Sequence, residues 1–283
     1  MSRIGSVDLH THSSCSDGSL APAELVERAV AAGIGLLALT DHDTIAGVET
    51  AAAAAARLGI GLVPGVELSA GWRHQSIHIL GLWIDPSSAE LRDALRAQAE
   101  RRRTRMRKIC ASLTQAGLPG EALLAAVEAN PGVPTRSHLA AALAAGGHVH
   151  RAQDAFRKYL GRGKRAHVAA EWPPIGAIVA TIREAGGVAS LAHPARYTLS
   201  SGARRKLVAE FAAAGGAALE IVTGANGAQH ADANAALARQ FGLRGSLGSD
   251  FHDPQLAWNP LGRLAKLPDG IDPVWRDRIP PES

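Results

Sequence analysis

Histidines and carboxylates recur along this chain in short groups whose spacing suits the capture of divalent metal ions. The first group is Asp8-Leu9-His10-Thr11-His12. On an extended strand, residues two apart point the same way at a separation of about 7 Å, so His10 and His12 can grip one ion. Ser16-Asp17-Gly18 reads as the turn that follows. Thr40-Asp41-His42-Asp43 ends the next apolar run, and Glu67 ends Gly65-Val66-Glu67. His78 stands in Ser76-Ile77-His78-Ile79, His193 precedes Pro194 after another apolar run, and Asp250-Phe251-His252 repeats the alternate spacing. A lone histidine is ordinarily a packed or surface residue, and a single His-x-His carries little weight. Six histidines and three carboxylates at the ends of apolar runs specify a shared metal cluster. Such a cluster suits hydrolysis, because the ions stabilise negative charge on a phosphoryl group and supply hydroxide near neutral pH.

These groups need a frame that gathers residues from 8 to 252. Strands are expected at 6–10, 35–40, 60–68, 76–84, 188–192, 217–222 and 243–248. Amphipathic helices at 22–32, 44–58, 175–185, 203–214 and 230–241 alternate with them. That alternation predicts an α/β fold with a parallel sheet closed into a seven-stranded β/α barrel, its metal groups at the C-terminal mouth of the strands. Residues 88–163 break the pattern, with a charged helix at 89–113 and shorter helical pieces at 121–129, 137–145 and 153–159. The expected organisation is therefore a barrel from 1–87 and 164–283 that carries an all-helical insertion, 88–163, contributing to substrate binding.

The composition narrows the class. The chain has 283 residues, of which 46% are hydrophobic and 20% charged. It can bury a sizeable core, and a disordered or fibrous protein is excluded. No apolar run approaches the roughly 20 residues of a membrane span. Residues 1–13 lack the apolar stretch of a secretory signal, and only Cys15 and Cys110 could form a disulfide, so a cytoplasmic location is expected. Net charge of +4 suits an anionic substrate, while 4% aromatic residues argue against a long stacking track for single-stranded nucleic acid. The basic run from Arg101 to Lys108 reads as a solvated helix face, with RNA phosphates as the alternative. His74, His148, His150, His167 and His230 read as surface residues, and Cys15 as a loop side chain rather than a ligand.

The ordered motifs DLHTHSSCSDG, TDHDT, GVE, an isolated strand histidine, a late AHP and a final GSDFH resemble the PHP (polymerase and histidinol phosphatase) family over nearly the whole chain. The resemblance implies a distorted seven-stranded β/α barrel of PHP type holding two to three divalent ions. It assigns the first ion to His10, His12, Glu67 and Asp250. The second falls to Glu67 as a bridge, His78 and His193, and the third to Asp17, His42 and His252. The segment Pro134-Thr135-Arg136-Ser137-His138-Leu139 in the insertion resembles bacterial members that are 3′,5′-nucleotide bisphosphate phosphatases, some of whose relatives degrade short RNA in the 5′→3′ direction.

On that resemblance the expected activity is a phosphoric monoester hydrolase. It would convert 3′,5′-bisphosphate nucleotides to nucleoside 5′-monophosphate and phosphate, and would also act on short RNA. Three carboxylates contribute −3 and three divalent ions +6, leaving +3, or +2 with a bridging hydroxide. Metal-bound hydroxide would be the nucleophile, so no protein nucleophile is needed. Mixed imidazole and carboxylate ligands favour Mn²⁺, with Fe²⁺ or Zn²⁺ as alternatives. Thr135 reads as an N-cap that leaves Arg136 in the first turn of a helix. A cation there makes sense when an anion occupies the terminus, so Arg136 with His138 and Thr135 is expected to hold a substrate phosphate. Arg196, three residues after His193, is a further phosphate contact. No membrane or protein partner is expected. The alternatives are a histidinol-phosphate phosphatase and a non-catalytic metal-binding PHP module.

Overall fold

The computed structural model describes residues 6–225, 227–256 and 259–278. Among them, seven strands follow one another around a nearly closed barrel in the order β1-β2-β3-β4-β5-β6-β7. They are β1 Ser6–Asp8, β2 Ile34–Leu39, β3 Gly61–Trp72, β4 Gln75–Leu82, β5 Val188–Leu191, β6 Ala218–Thr223 and β7 Arg244–Gly248. Helices α1 Pro22–Ala31 and α2 Val48–Leu58 cover the first strands, and α7 Ile175–Glu184, α8 Ser201–Ala213 and α9 Ala228–Phe241 cover the later ones. Each presents an apolar face inward: Leu25, Val26 and Ala29 of α1 and Ile178, Val179 and Ile182 of α7 are buried. Burying a leucine- or isoleucine-sized side chain is worth about 1.5–3 kcal/mol, so these faces fix the helices to the sheet. Among the described residues no helix is long and apolar enough to cross a membrane.

The sheet departs from the all-parallel arrangement expected of alternating strands and helices. β3 and β4 form an antiparallel hairpin, with Ser69 opposite His78 and Glu67 opposite Leu80, and β4 is also antiparallel to β5. The hairpin turns at Arg73 and His74, where Arg73 takes a left-handed φ of 53°. β3 also runs on to Trp72, so Glu67 lies inside the strand rather than at its end. The reversal is what brings His78 to the site. His78 lies in the first half of β4, which in a reversed strand belongs to the barrel mouth reached by the ends of the parallel strands.

Beyond the strands, the chain's two ends close the barrel at that mouth. Leu9 N–H donates to Leu247 O at 3.0 Å, Asp250 N–H to His10 O at 2.8 Å, and His12 N–H to Phe251 O at 2.9 Å. Gly248 is required here, because a Cβ at this position would lie 2.2 Å from His10 Cβ.

Between β4 and α7 lie α3 Ala89–Gln115, α4 Gly120–Glu128, α5 Arg136–Ala145 and α6 Ala152–Ala155, which runs into one π-helical turn, Phe156–Leu160. Ser88 caps α3 by accepting from Leu91 N–H at 3.2 Å. A separate apolar cluster that includes Met106, Ile109, Leu113, Leu123, Leu139 and Leu143 binds these helices together. The basic run on α3 is not the uniformly solvated face read from its composition. Arg101, Arg103, Arg107 and Lys108 are exposed, but Arg102 is buried and Arg105 half-buried. Helical periodicity turns those two inward, on the face that also carries the buried Met106 and Ile109.

A candidate metal centre and its cleft

All nine expected donors meet at the barrel mouth. His10 and His12 project from the segment after β1, and their Nε2 atoms lie 3.1 Å apart. His10 Nε2 lies 3.4 Å from Glu67 Oε1 and 3.3 Å from Asp250 Oδ1. His12 Nε2 lies 3.4 Å from Glu67 Oε2 and 3.1 Å from Asp250 Oδ1. Four donors at about 2.0–2.1 Å from one ion, tetrahedrally arranged, are about 3.3–3.4 Å from each other. The observed separations fall at or slightly below that edge.

Glu67 is fully buried at the centre. Its Oε1 lies 3.1 Å from both His78 Nδ1 and His193 Nε2, and its Oε2 lies 2.8 Å from His42 Nδ1. Asp17 Oδ1 lies 3.3 Å from His252 Nε2 and 3.8 Å from His42 Nε2. Three sets of donor atoms are close enough to share an ion: His10, His12 and Glu67; His42, Glu67 and His78; and His12, Asp17, His42 and His252. The second set differs from the expected grouping by including His42, and the third by including His12. His193 still reaches Glu67.

A divalent ion fits this chemistry. Asp17 Oδ1, His42 Nδ1, Glu67 Oε2, His78 Nδ1 and His193 Nδ1 are buried and have no hydrogen-bond partner among the described residues. The 2.8 Å approach of His42 Nδ1 to Glu67 Oε2 thus lacks hydrogen-bond geometry. Buried polar groups are otherwise satisfied almost without exception, so donors left over in one cluster answer to a cation.

The sequence reading missed a residue that organises the cluster. Glu220 on β6 is fully buried. Its Oε1 lies 3.0 Å from His10 Nδ1, and its Oε2 accepts the His193 backbone N–H at 2.5 Å. A carboxylate on Nδ1 keeps the proton there and leaves the Nε2 lone pair for a metal. The signal was present as a single acidic residue between Leu219 and Ile221 in an otherwise apolar strand. His252 is set in the same way, Nδ1–H donating to Asp250 O at 2.9 Å. Asp8 accepts the Ser249 N–H at 2.8 Å, and Asp41 accepts from Ser13 and Ser16 in the loop that carries Asp17. Asp43 receives Arg102 Nε at 2.7 Å and Ser69 N–H at 2.8 Å, tying α3 to the mouth. Asp43, His193 and Asp250 all adopt left-handed backbone, with φ of 48°, 31° and 54°. Such conformations cost about 1–3 kcal/mol each and persist where the surroundings enforce them.

Electrostatics divides the rings. Burial, aided by the neighbouring His252 and His42, pushes His12 down to about 3 and keeps it neutral. Burial opposes charge on His10 too, but Glu220, Glu67 and Asp250 outweigh it and raise its pKa well above the usual value. Against the same burial, Asp17 and Asp250 lift His252 to about 10. Burial likewise works against charge on Glu67, Asp17 and Asp250, yet the adjoining histidines hold all three well below the usual carboxylate range. Burial pushes Asp8 and Asp41 up to about 6 despite their hydrogen bonds.

The mouth opens into a cleft of about 410 Å³ that runs from the cluster to the insertion helices. Its far end carries Arg102, Arg105 and Arg136 with the rings of Trp172 and Phe156. Arg102 and Arg105 stand 5.3 and 5.9 Å from the Trp172 ring, and Arg136 stands 5.7 Å from that of Phe156. Arg102 is neutralised by Asp43. Arg105 donates to Val168 O at 3.0 Å, and neither it nor Arg136 pairs with a carboxylate among the described residues. Burial first, and then Arg136 and Arg102, lower Arg105 to about 10, and burial with Arg102 lowers Arg136. Two half-buried cations thus face the cleft without a carboxylate partner among the described residues.

Of the other expected contacts, Thr135 lines the cleft and caps α5, accepting from His138 N–H at 3.3 Å. His138 does not line it. Its Nδ1 accepts the Thr135 N–H at 3.3 Å, completing a capping box in the place usually taken by Glu or Gln. Arg196 lines the cleft but pairs with Asp250 and reaches Asn259 Oδ1 at 3.4 Å, so it serves the cluster end. Cys15 is half-buried, is absent from the donor sets, and has its thiol pKa raised by burial and Asp41. His74, His150 and His230 are exposed as expected, whereas His148 and His167 are half-buried.

The model of the PHP domain matches residues 8–161. The chain is 43% identical over 268 residues to the 5′-3′ exoribonuclease of Haemophilus influenzae, covering 95% of this chain and 97% of the relative. It is 40% identical over 276 residues to the 3′,5′-nucleoside bisphosphate phosphatase of Chromobacterium violaceum, covering 97% and 96%. Among solved structures, an amidohydrolase from Chromobacterium violaceum with bound sulfate and no metal has a TM-score of 0.89 at 40% identity, over 96% of this chain and 95% of that one. A structure from Bifidobacterium adolescentis, described provisionally as a metal-dependent phosphoesterase, has a TM-score of 0.78 at 27% identity, over 96% and 94%.

Proposed function

The chain belongs to the PHP family, and on that premise we propose that it is a metal-dependent phosphoesterase that removes the 3′-phosphate of 3′,5′-bisphosphate nucleotides and also shortens 5′-phosphorylated RNA. The observation that carries the reading is a cleft with the donor cluster at one end and the cations Arg105 and Arg136 at the other, which would give it two poles for phosphate. A substrate with two phosphates spans it. A simple monophosphate such as histidinol phosphate has no use for the far pole, and a non-catalytic module has no need of a complete donor set.

The ligand roles follow the geometry. His10, His12, Glu67 and Asp250 would hold one ion, Glu67 with His78 and His193 a second, and Asp17, His42 and His252 a third, with His42 close enough to serve the second instead. The mixed donors suit Mn²⁺, with Fe²⁺ or Zn²⁺ as alternatives. Bound there, divalent ions lower the pKa of a water and offset the charge of a phosphate dianion. Arg196 neutralises Asp250 and faces the cleft beside the scissile phosphate. Arg105 and Arg136 hold the retained 5′-phosphate, and Trp172 and Phe156 offer apolar faces to the nucleoside. The free thiols Cys15 and Cys110 suit a reducing cytoplasm.

The test is phosphate release from a 3′,5′-bisphosphate nucleotide, histidinol phosphate and p-nitrophenyl phosphate, with Mn²⁺ and then with chelator. The bisphosphate should be the preferred substrate and chelator should abolish turnover. Preference for histidinol phosphate would overturn the substrate assignment, and no turnover after metal loading would favour the binding module.

A further inference from the structure

A second pocket, of about 370 Å³, adjoins the cluster over β5, β6 and the start of α9. It shares only His193 and Arg196 with the main cleft, so these two residues form the wall between them. Its lining mixes the two kinds of surface: Thr223, Gln229, His230, Asn234 and Asn259 face it with Arg196, beside Ala195 and Ile221. Asn234 is 2% exposed, and its Nδ2 donates to Ile221 O at 3.1 Å. Its Oδ1 is buried and has no hydrogen-bond partner among the described residues. An unpaired buried acceptor costs about 1–3 kcal/mol, and a hydroxyl or amine donor entering the pocket would relieve it.

The direction of the substrate says what that donor belongs to. The 5′-phosphate lies at Arg105 and Arg136, and the phosphorus to be attacked lies at the cluster. Hydrolysis forms a bond from a water oxygen to phosphorus and breaks the bond from phosphorus to O3′, which takes the proton. With a free 3′-phosphate the product is inorganic phosphate. With a phosphodiester, the phosphate stays on the O5′ of the next nucleotide, and the remaining chain has a new 5′-phosphate. That next nucleotide leaves the cluster away from the first one. The groove lined by Arg101, Arg105 and Lys108 together with Glu100 and Glu171 adjoins the 5′-phosphate end, where no further nucleotide exists. The pocket behind His193 and Arg196 adjoins the other end.

Building on the phosphoesterase reading above, we propose that this pocket receives the second nucleotide of an RNA chain, with its ribose hydroxyls or base amino group meeting Asn234 and its polar edge meeting Gln229 and His230. Gln229 and His230 are exposed and have no part in the donor cluster, so they can be changed without disturbing it.

The test compares wild type with Gln229→Ala, His230→Ala and the double variant on two substrates sharing the first nucleotide, a 3′,5′-bisphosphate and a 5′-phosphorylated ribodinucleotide. The double variant should lose about tenfold in kcat/KM on the dinucleotide, the scale of removing one or two hydrogen bonds, and stay within about twofold on the bisphosphate. Fluorescence anisotropy with a 5′-phosphorylated trinucleotide in chelator should show the same weakening without turnover. Unchanged dinucleotide kinetics, or equal losses on both substrates, would overturn the subsite. Wild type that cleaves the bisphosphate and not the dinucleotide would overturn it while leaving the phosphatase reading intact. Failure on both substrates would remove that reading itself.

Discussion

Replacing Glu220 with glutamine tests how the cluster is organised. The carboxylate accepts two N–H groups, one from the His10 ring and one from the His193 backbone. An amide of the same shape has one acceptor oxygen and one NH₂ group. The His193 backbone N–H can only donate, so the amide oxygen must remain with it. The NH₂ then faces His10 Nδ1, and the ring can adapt by moving its proton to Nε2. That proton occupies the lone pair aimed at Glu67 Oε1 and Asp250 Oδ1, 3.4 and 3.3 Å away. Each ion captured must then displace a proton and reverse the tautomer. Loss of such an orienting carboxylate typically costs 10–100-fold in metal affinity, about 1.4–2.7 kcal/mol. Glu220→Gln should therefore bind its tightest ion about 10–100-fold more weakly by calorimetric titration and recover much of its activity at high metal concentration. In the metal-free variant, the ¹⁵N shifts of His10 should report an Nδ1 that has lost its proton. Unchanged affinity together with an Nδ1–H ring would refute the reasoning.

Three further outcomes are expected. Arg136→Ala should cost about 2–4 kcal/mol in kcat/KM for a bisphosphate nucleotide, as expected when a charge-assisted hydrogen bond is removed from a partly buried site, and should barely affect p-nitrophenyl phosphate; equal losses on both would place Arg136 at the scissile phosphate. Cys15→Ser should keep its metal content by elemental analysis and most of its activity, since the thiol is outside every donor set; loss of one metal equivalent would make it a ligand. In protein stripped of metal, His252 has a folded-state pKa raised to about 10, so its stabilising contribution is complete below about 6.5, the unfolded value, and disappears as pH climbs toward 10. Melting temperature in chelator should fall across that window, and a flat profile would show that the Asp17 and Asp250 contacts contribute nothing.

The metal donors were legible because each sits in a short motif, and residue type with alternate spacing survives without coordinates. The helical insertion was legible from its period. Strand direction was not. A turn of Arg73 and His74 carries neither the Asn-Gly nor the Asp-Gly signature of a two-residue hairpin, and an apolar run reads the same in both directions. Periodicity places Arg102 on the buried face of α3, but its partner there, Asp43, is far away in the chain and could not be read from it. Glu220 was passed over because its meaning depends on His10 and His193, which follow two different strands. His138 was legible as part of a helix start but not as half of a capping box, since an imidazole there stands in for the carboxylate or amide that marks the motif in a sequence.

The closure of the barrel at its mouth ties assembly to ion capture. β1 and β7 meet through a few backbone bonds beside His10, His12 and Asp250, so the seam and the donor cluster occupy the same ground. The residues gathered there span the chain from His10 to His252, and the set of His12, Asp17, His42 and His252, like the contacts of Asp250 with His10 and His12, stays incomplete until the last strand docks. Ion capture by the donors at the seam is then coupled to ring closure. An ion joining His10 and His12 to Asp250 acts as a clasp across the seam, and its binding energy adds to the stability of the closed ring. A barrel without its last strand would keep the sets centred on Glu67 but lack Asp250 and His252, and with them part of the donors at the seam.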